Sequence, residues 1–345
     1  MLKKNIPVLI FSLFCTLTGF AQDKHFTQFY ASPLTLNPAL TGAFDGKYRV
    51  GIIHRDQWQE VLEKPYVSFA AAADLRLNMR YSSKFKDKIG LGLLFYRDKV
   101  GGIDFGTTHM AFSGSYQKAL SQDKSQFLSL GIQAGLTQRN LNYELLTFQD
   151  QFNGIDGYTI PTAEGFPENN FSFGDFSTGL NYSFNRGGFG LYLGGAIHHI
   201  LQPNVSFYED PNIPKNRLFR KYSVQIGSQI PVNERFMILP RLLVASQGPH
   251  FEANAGSNFR AIVNRNGDIA LQLGAWVRPV LYEDDSFNLD ALVLMAGFEY
   301  NGLLLGFSYD ANIQDLSSVR ARNAYEVSII YIGEYENETI LCPSW

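Results

Sequence analysis

The sequence predicts an all-β fold: a transmembrane antiparallel β-barrel of about fourteen strands, of the outer-membrane type. Three observations predict it. Apolar residues recur at every second position through run after run of roughly ten residues, the period of a wall with two unlike faces. Beyond the N-terminus no apolar run approaches the roughly 18 residues of a spanning helix, so a membrane-embedded chain must close its backbone hydrogen bonds as a barrel. The segments joining the runs sort into short and long by parity, as they do when each strand crosses a bilayer and the next returns.

The stretch Leu289 to Asp310, LDALVLMAGFEYNGLLLGFSYD, shows the pattern most clearly. With Asn301-Gly302 as a two-residue type I′ turn, Tyr300 pairs with Leu303, Phe298 with Leu305, Ala296 with Phe307 and Leu294 with Tyr309. All of these fall on one face. The other face carries Glu299, Gly297, Met295 and Val293 against Leu304, Gly306, Ser308 and Asp310, and is smaller and partly charged. In water the first face needs a covering layer, and the chain offers no amphipathic helix of useful length. Lipid covers it instead, with Tyr300 and Tyr309 as interfacial anchors at its two ends.

Composition agrees. The chain has 345 residues, with 31 Gly, 28 Phe and 18 Tyr, enough for one large barrel or two ordinary domains. A net charge of −3 gives no reason to expect nucleic acid. Residues 1–21 read as a signal peptide: Lys3 and Lys4 precede the apolar run Ile6 to Phe20, and Gly19 and Ala21 suit a cut before Gln22. An uncleaved anchor helix is the alternative. Export follows, and removal of Cys15 leaves Cys342 as one thiol without an internal partner.

Residues 22–47 form a lead-in. Its core, His25 to Phe44 (HFTQFYASPLTLNPALTGAF), has two prolines and no steady period, so it reads as extended or turn-rich with one helical turn near Pro38 to Leu40. It packs either as a periplasmic tail against the barrel base or as a plug in the lumen. The barrel is expected over 48–332, with strands at Tyr48 to Arg55, Tyr66 to Leu77, Lys88 to Asp98, Thr107 to Leu120, Gln126 to Asn140, Phe173 to Asn185, Gly188 to His199, Arg220 to Pro231, Phe236 to Gln247, Phe251 to Ile262, Ile269 to Arg278, Asp290 to Tyr300, Leu303 to Asn312 and Ala324 to Ile332. Connections after even-numbered strands are short, as at Ser121 to Ser125 and Arg186-Gly187. Those after odd-numbered strands include Leu141 to Ser172 and Ile200 to Phe219, while Gly248-Pro249 breaks the rule. The tail 333–345, with Glu334, Glu336, Glu338 and Trp345, either crosses the periplasmic mouth or ends in solvent.

Signatures of catalysis are weak. His198 and His199 are neighbours on an expected strand and should point to opposite faces, which rules out a chelating pair there. Local motifs for hydrolase or zinc chemistry are absent, so no catalytic residue, metal or cofactor is expected. Asp74 and Arg76 should face the lumen with Ser68, lining it or filling it by charge pairing. The long loop carries Phe148, Phe152, Tyr158, Phe166 and Phe171 among Asp150, Gln151 and Asp156, which suits a folded surface cap, a protein-binding surface or simple loop packing. Trp58, within RDQWQE, sits at or above the outer rim as a binding residue or an interfacial anchor.

Taken in order, HFTQFYASPLTLNPALTGAF, RVGIIHRDQW, KPYVSFAAAADLRL, TFQDQFNG, GGAIHHILQPNVSF, LLLGFSYDANIQDL, AYEVSIIYI and the terminal CPSW resemble the PorP/SprF family of type IX secretion system membrane proteins of Bacteroidota. The resemblance covers nearly the whole mature chain. It implies an outer-membrane barrel, without catalytic residues, that assists secretion or surface attachment of adhesin-like cargo, in some members for gliding motility. The implied partners are a cargo C-terminal domain and other secretion or motility components, besides the lipid bilayer. Asn37, Pro38, Arg55, Gln57, Trp58, Asp150, Gln151, His199 and Pro203 are the family-typical positions, and Phe148 stands in the same loop motif. A solute channel is the runner-up reading.

Overall fold

The computed structural model describes residues 26–58, 64–79, 87–155, 157–208, 216–264, 266–281, 287–313 and 323–333. The expected signal peptide, its cut before Gln22, Cys342 and the acidic tail lie outside the described residues. Fourteen antiparallel strands close into one barrel, each paired with the next and the last with the first. They are β1 Tyr48–Gln57, β2 Tyr66–Asn78, β3 Lys88–Val100, β4 Phe105–Ala119, β5 Gln126–Asn140, β6 Asn170–Arg186, β7 Phe189–His198, β8 Lys221–Pro231, β9 Phe236–Gln247, β10 His250–Ile262, β11 Ile269–Leu281, β12 Phe287–Tyr300, β13 Leu303–Asn312 and β14 Ala324–Gly333. Every expected strand is present, and β5, β9 and β13 match to the residue. Among the described residues no helix is long and apolar enough to cross a membrane.

The reason for the fold is visible in the alternation. Ile132 and Leu136 on β5 are 65% and 67% exposed, whereas Gln133 and Thr137 beside them are 6% and 5% exposed. A soluble protein would do the reverse. The polar residues point inward and the aliphatic ones outward, as a wall bathed in hydrocarbon requires. Register follows from the turns: Asn301 and Gly302 have φ of 45° and 82°, as a type I′ hairpin demands, and Tyr300 pairs with Leu303 and Leu294 with Tyr309 as expected.

Tight turns gather at one end of the barrel, at 187–188 and 301–302 among others, and the long segments 141–169 and 199–220 at the other. We call these the turn end and the loop end. Two connections at the loop end are also tight, Gly248-Pro249 as foreseen and residues 101–104, so parity sorts the long loops but not every connection.

The described lead-in lies in the lumen as a plug. It forms three short turns, Phe29–Ala31, Pro33–Leu36 and Pro38–Leu40, where one was expected. Thr27, Gln28, Leu34, Asn37 and Ala39 are completely buried. The wall makes room by lacking side chains: a Cβ on Gly131 would overlap the Pro38 carbonyl, one on Gly179 the Asn37 amide, and one on Gly90 the Thr41 carbonyl. The plug runs from Phe26, beside Tyr96 toward the loop end, down to Tyr48, where β1 begins at the turn end.

Candidate functional site

Three features make up the candidate site: the seating of the plug, a vestibule above it, and the loops around the mouth. The seat is an ion lattice on β1, β11, β12, β13 and β14. Arg55 and Glu326 are direct cross-strand partners, which places both on the inner face at one level. Arg55 Nη1 donates to Glu326 Oε1 at 2.6 Å, to Asp310 Oδ2 at 2.9 Å and to Thr27 Oγ1 at 2.9 Å. Arg278 Nη1 donates to the same Asp310 oxygen at 2.8 Å and its Nε to Asp290 at 2.9 Å. The plug enters through successive backbone N–H groups: Thr27 and Gln28 donate to the two Glu326 oxygens at 2.7 and 2.8 Å. Buried charge is tolerated because each charged group has opposite charge and hydrogen bonds around it.

Lower down, Arg49 grips Asp74 through Nε and Nη2 at 2.8 and 2.7 Å, and Gly42 N donates to Asp74 at 2.7 Å. Asp74 and Arg76 both face the lumen, but they do not pair with each other: Arg76 donates to the Phe44 carbonyl and lies 3.7 Å from Asp45. Ser68 donates to Asp98 at 2.5 Å. Asn37 clamps the plug to the wall, its Nδ2 donating to the carbonyls of Leu180 and Gly195 at 3.1 and 3.2 Å while its Oδ1 caps Ala39 N at 2.8 Å. Pro38 starts that capped turn and packs over Gly131.

Above the plug a cavity of ≈ 950 Å³, counting its open mouth, faces the loop end. Phe26, Phe29 and Leu36 of the plug line it, with His109, Asp175, His198 and His199 from the wall. The two histidines correct the expectation that they point to opposite faces, since both are buried in the lumen. Strict alternation holds only while the backbone stays extended; β7 ends at His198, and His199 takes φ 55°, which turns its ring back inward. His199 Nδ1 meets Asp175 Oδ2 at 2.9 Å, and His198 lies 3.2 Å from both Ser177 Oγ and the Leu36 carbonyl. The Ser177 hydroxyl and the Asp175 carboxylate thus address different imidazoles. Among the described residues no three His, Cys, Asp or Glu side chains converge to hold a metal ion.

At the loop end, Gln57 closes β1 opposite Ala324 and Tyr66. Trp58 turns at φ 65°, donates its backbone N–H to Asn323 at 2.9 Å, and sets its ring edge-on to Tyr66 at 4.9 Å. The remaining expected binding residues hold their own loop together. Gln151 Oε1 accepts from Phe148 N at 2.8 Å, and Phe148 packs on Phe166 at 5.1 Å. Asp150 accepts from Ala163 N at 2.7 Å and Thr162 Oγ1 at 2.9 Å. These contacts, the Ala163 amide foremost, hold the Asp150 carboxyl below its ordinary 3.8. The Pro203 carbonyl accepts from Leu218 N at 3.0 Å in the second long loop, whose Phe207 packs edge-on against Phe171 at 4.8 Å and so ties that loop to the end of β6. Asp150 is itself exposed, and the exposed apolar residues of these loops are Ile155, at 87%, with Tyr158, Phe152, Ile160, Leu201 and Tyr208. Sequence reasoning missed Thr27, Gln28, Arg278, Asp310 and Glu326. The signal for three of them was present, namely charged side chains inside otherwise apolar strands.

A family model described as type IX secretion system membrane protein PorP/SprF matches residues 18–331. Solved structures that resemble the chain include the Pseudomonas putida toluene transporter TodX, at 13% identity and a TM-score of 0.48, covering 90% of this chain and 98% of that one. The Ralstonia pickettii toluene transporter TbuX stands at 10% identity and a TM-score of 0.48, covering 89% and 94%. CdiB from Escherichia coli stands at 11% identity and a TM-score of 0.43, with 82% of this chain matched but only 63% of CdiB. No curated protein matches.

Proposed function

The chain belongs to the PorP/SprF family of type IX secretion system membrane proteins, and on that premise we propose a non-enzymatic outer-membrane accessory that supports secretion or surface attachment of a specific cargo protein, such as a gliding-motility adhesin. Its partners in this reading are the C-terminal domain of the cargo, other components of the secretion or motility machinery, and the lipid around the wall. The observation that carries it is the loop end. The long segments before β6 and after β7 expose Ile155, Tyr158, Phe152 and Leu201 beyond the strands, and Phe207 of the second packs on Phe171 at the loop end of β6. Exposed apolar side chains on long segments beyond the strands suit a protein partner. The plug speaks against the runner-up, a solute channel, because Phe26 to Phe44 pack the described lumen. The loop end faces outward in this reading.

The test is affinity isolation from native membranes of the chain and of a variant whose residues 146–166 are replaced by a short Gly/Ser linker. A cell-surface partner should come with the intact chain and be lost from the variant, while both barrels keep the mobility shift of unheated folded protein in detergent gels. Recovery of the same partner with the shortened loop would end this reading.

A further inference from the structure

Five carboxylates are buried among the described residues: Asp74, Asp175, Glu299, Asp310 and Glu326. Four of them follow one rule. Asp74 is paired with Arg49, Glu299 with Arg260, Glu326 with Arg55, and Asp310 with both Arg55 and Arg278. Asp175 breaks the rule. It meets His199 alone, through Oδ2 at 2.9 Å, and an imidazole carries charge only when protonated. Its Oδ1 is buried and accepts no hydrogen bond among the described residues. A carboxylate withdrawn from water without opposite charge is costly, so the exception calls for a cation from elsewhere.

Of the five, Asp175 lines the vestibule. The lining does not direct its own cations there. Arg139 stands two register levels nearer the loop end than Asp175, and its guanidinium lies over the rings of Phe105 and Phe173 at 6.0 and 5.8 Å. Lys221 comes from β8, and Glu252 on β10 offsets its charge. The apolar part of the lining is built from Phe26, Phe29 and Leu36 of the plug, and Phe173 is the next inward residue on β6 from Asp175 toward the loop end. An unspent acceptor of full negative charge in a part-apolar cavity is the complement of a cationic head on an apolar stem, since charge-assisted hydrogen bonds are the strong ones.

We propose that the vestibule binds an organic cation, a guanidinium, amidinium or alkylammonium group on an apolar stem, which enters from the loop end and donates to Asp175 Oδ1. His199 holds the other carboxylate oxygen and acts as a positioning residue. Two sources offer this chemistry, a free solute and an arginine or lysine side chain of a surface partner. The inference does not rest on the secretion reading, because it uses none of the exposed loop residues.

Benzamidine, benzamide and benzoate share a shape and differ in charge, and the test is their binding to the purified full-length barrel in lipid nanodiscs at pH 8, above the ordinary imidazole range. Benzamidine should bind about tenfold tighter than benzamide, with benzoate the weakest. Asp175→Asn, which keeps an acceptor for His199, should bring benzamidine and benzamide to within about twofold of each other, while Glu252→Gln should leave the ranking intact. Phe173→Ala should weaken benzamidine about threefold and gives a second reading where Asp175→Asn does not fold. Equal binding of the three probes by the native barrel overturns the inference. So does a full preference in a folded Asp175→Asn barrel, its loss in Glu252→Gln, or an unchanged benzamidine affinity in Phe173→Ala. Repeating the affinity isolation with saturating benzamidine separates the two sources: a partner displaced by the probe supplies the cation itself, and a partner retained leaves a free solute as the ligand. Failure of benzamidine to bind, with the partner still recovered, strikes this inference and leaves the secretion reading standing.

Discussion

Arg55 touches two carboxylates and a threonine at once, so its removal leaves Asp310 and Glu326 buried together with only Arg278 to balance them. Breaking a buried pair from one side typically costs about 3–5 kcal/mol. Arg55→Ala should therefore lower the urea midpoint of unfolding and expose the plug to protease, while Arg55→Leu combined with Glu326→Leu should lose less than Arg55→Ala. Asp150 gives the opposite kind of prediction, one of pH. Its folded carboxyl titrates below the ordinary 3.8, because it accepts the Ala163 amide and the Thr162 hydroxyl. A depressed carboxyl stabilises the folded loop fully above the ordinary value and loses that contribution as pH falls through the folded one. Exchange protection of the Ala163 amide, corrected for intrinsic rate, should hold from pH 7 to pH 5 and disappear only below 3.8; loss already at pH 5 would count against the tie. At this scale the sequence was least legible. Asp150 and Gln151 look like binding residues by type, and their part in bonding their own loop together carried no local signal, while His199 defeats the alternation rule through one left-handed backbone angle.

Among elements, the strands were the most legible because their signal is local: period two and turn residues suffice, and β13 was bounded to the residue. The plug was not, since residues 26–44 carry no period and their conformation is set by strands hundreds of positions away, as when Thr27 meets Glu326. What the sequence held was the complement, glycines at wall positions where Ala or Val would serve a strand better. Gly179→Val tests this directly. Its side chain would enter the space of Asn37, and overpacking of this kind costs about 1–3 kcal/mol. The expected outcome is lower thermal stability together with faster proteolysis within 26–47; if the melting temperature is unchanged, the close approach is not a constraint. Gly302→Val places a branched residue at φ 82°, and the strain of about 1–3 kcal/mol should show as slower folding into vesicles with native final structure.

For the molecule as a whole, closure matters more than any single pair. Fourteen strands in one ring leave no open edge, and the apolar exterior requires a hydrocarbon solvent. The barrel should therefore stay dispersed only in detergent or lipid, and removal of detergent without lipid should precipitate it. The family, the barrel and its approximate strand number are all legible in the sequence, whereas the vestibule is not, because its lining comes from eight strands and the plug, and no short motif encodes such a convergence.

The direction in which the plug threads the barrel has a mechanical consequence. Its lower end is covalently continuous with the first strand at the turn end, while Thr27 and Gln28 at its upper end are held by Glu326. The stopper is thus moored at both levels, and displacing it means breaking the upper mooring while the lower one stays on as a leash.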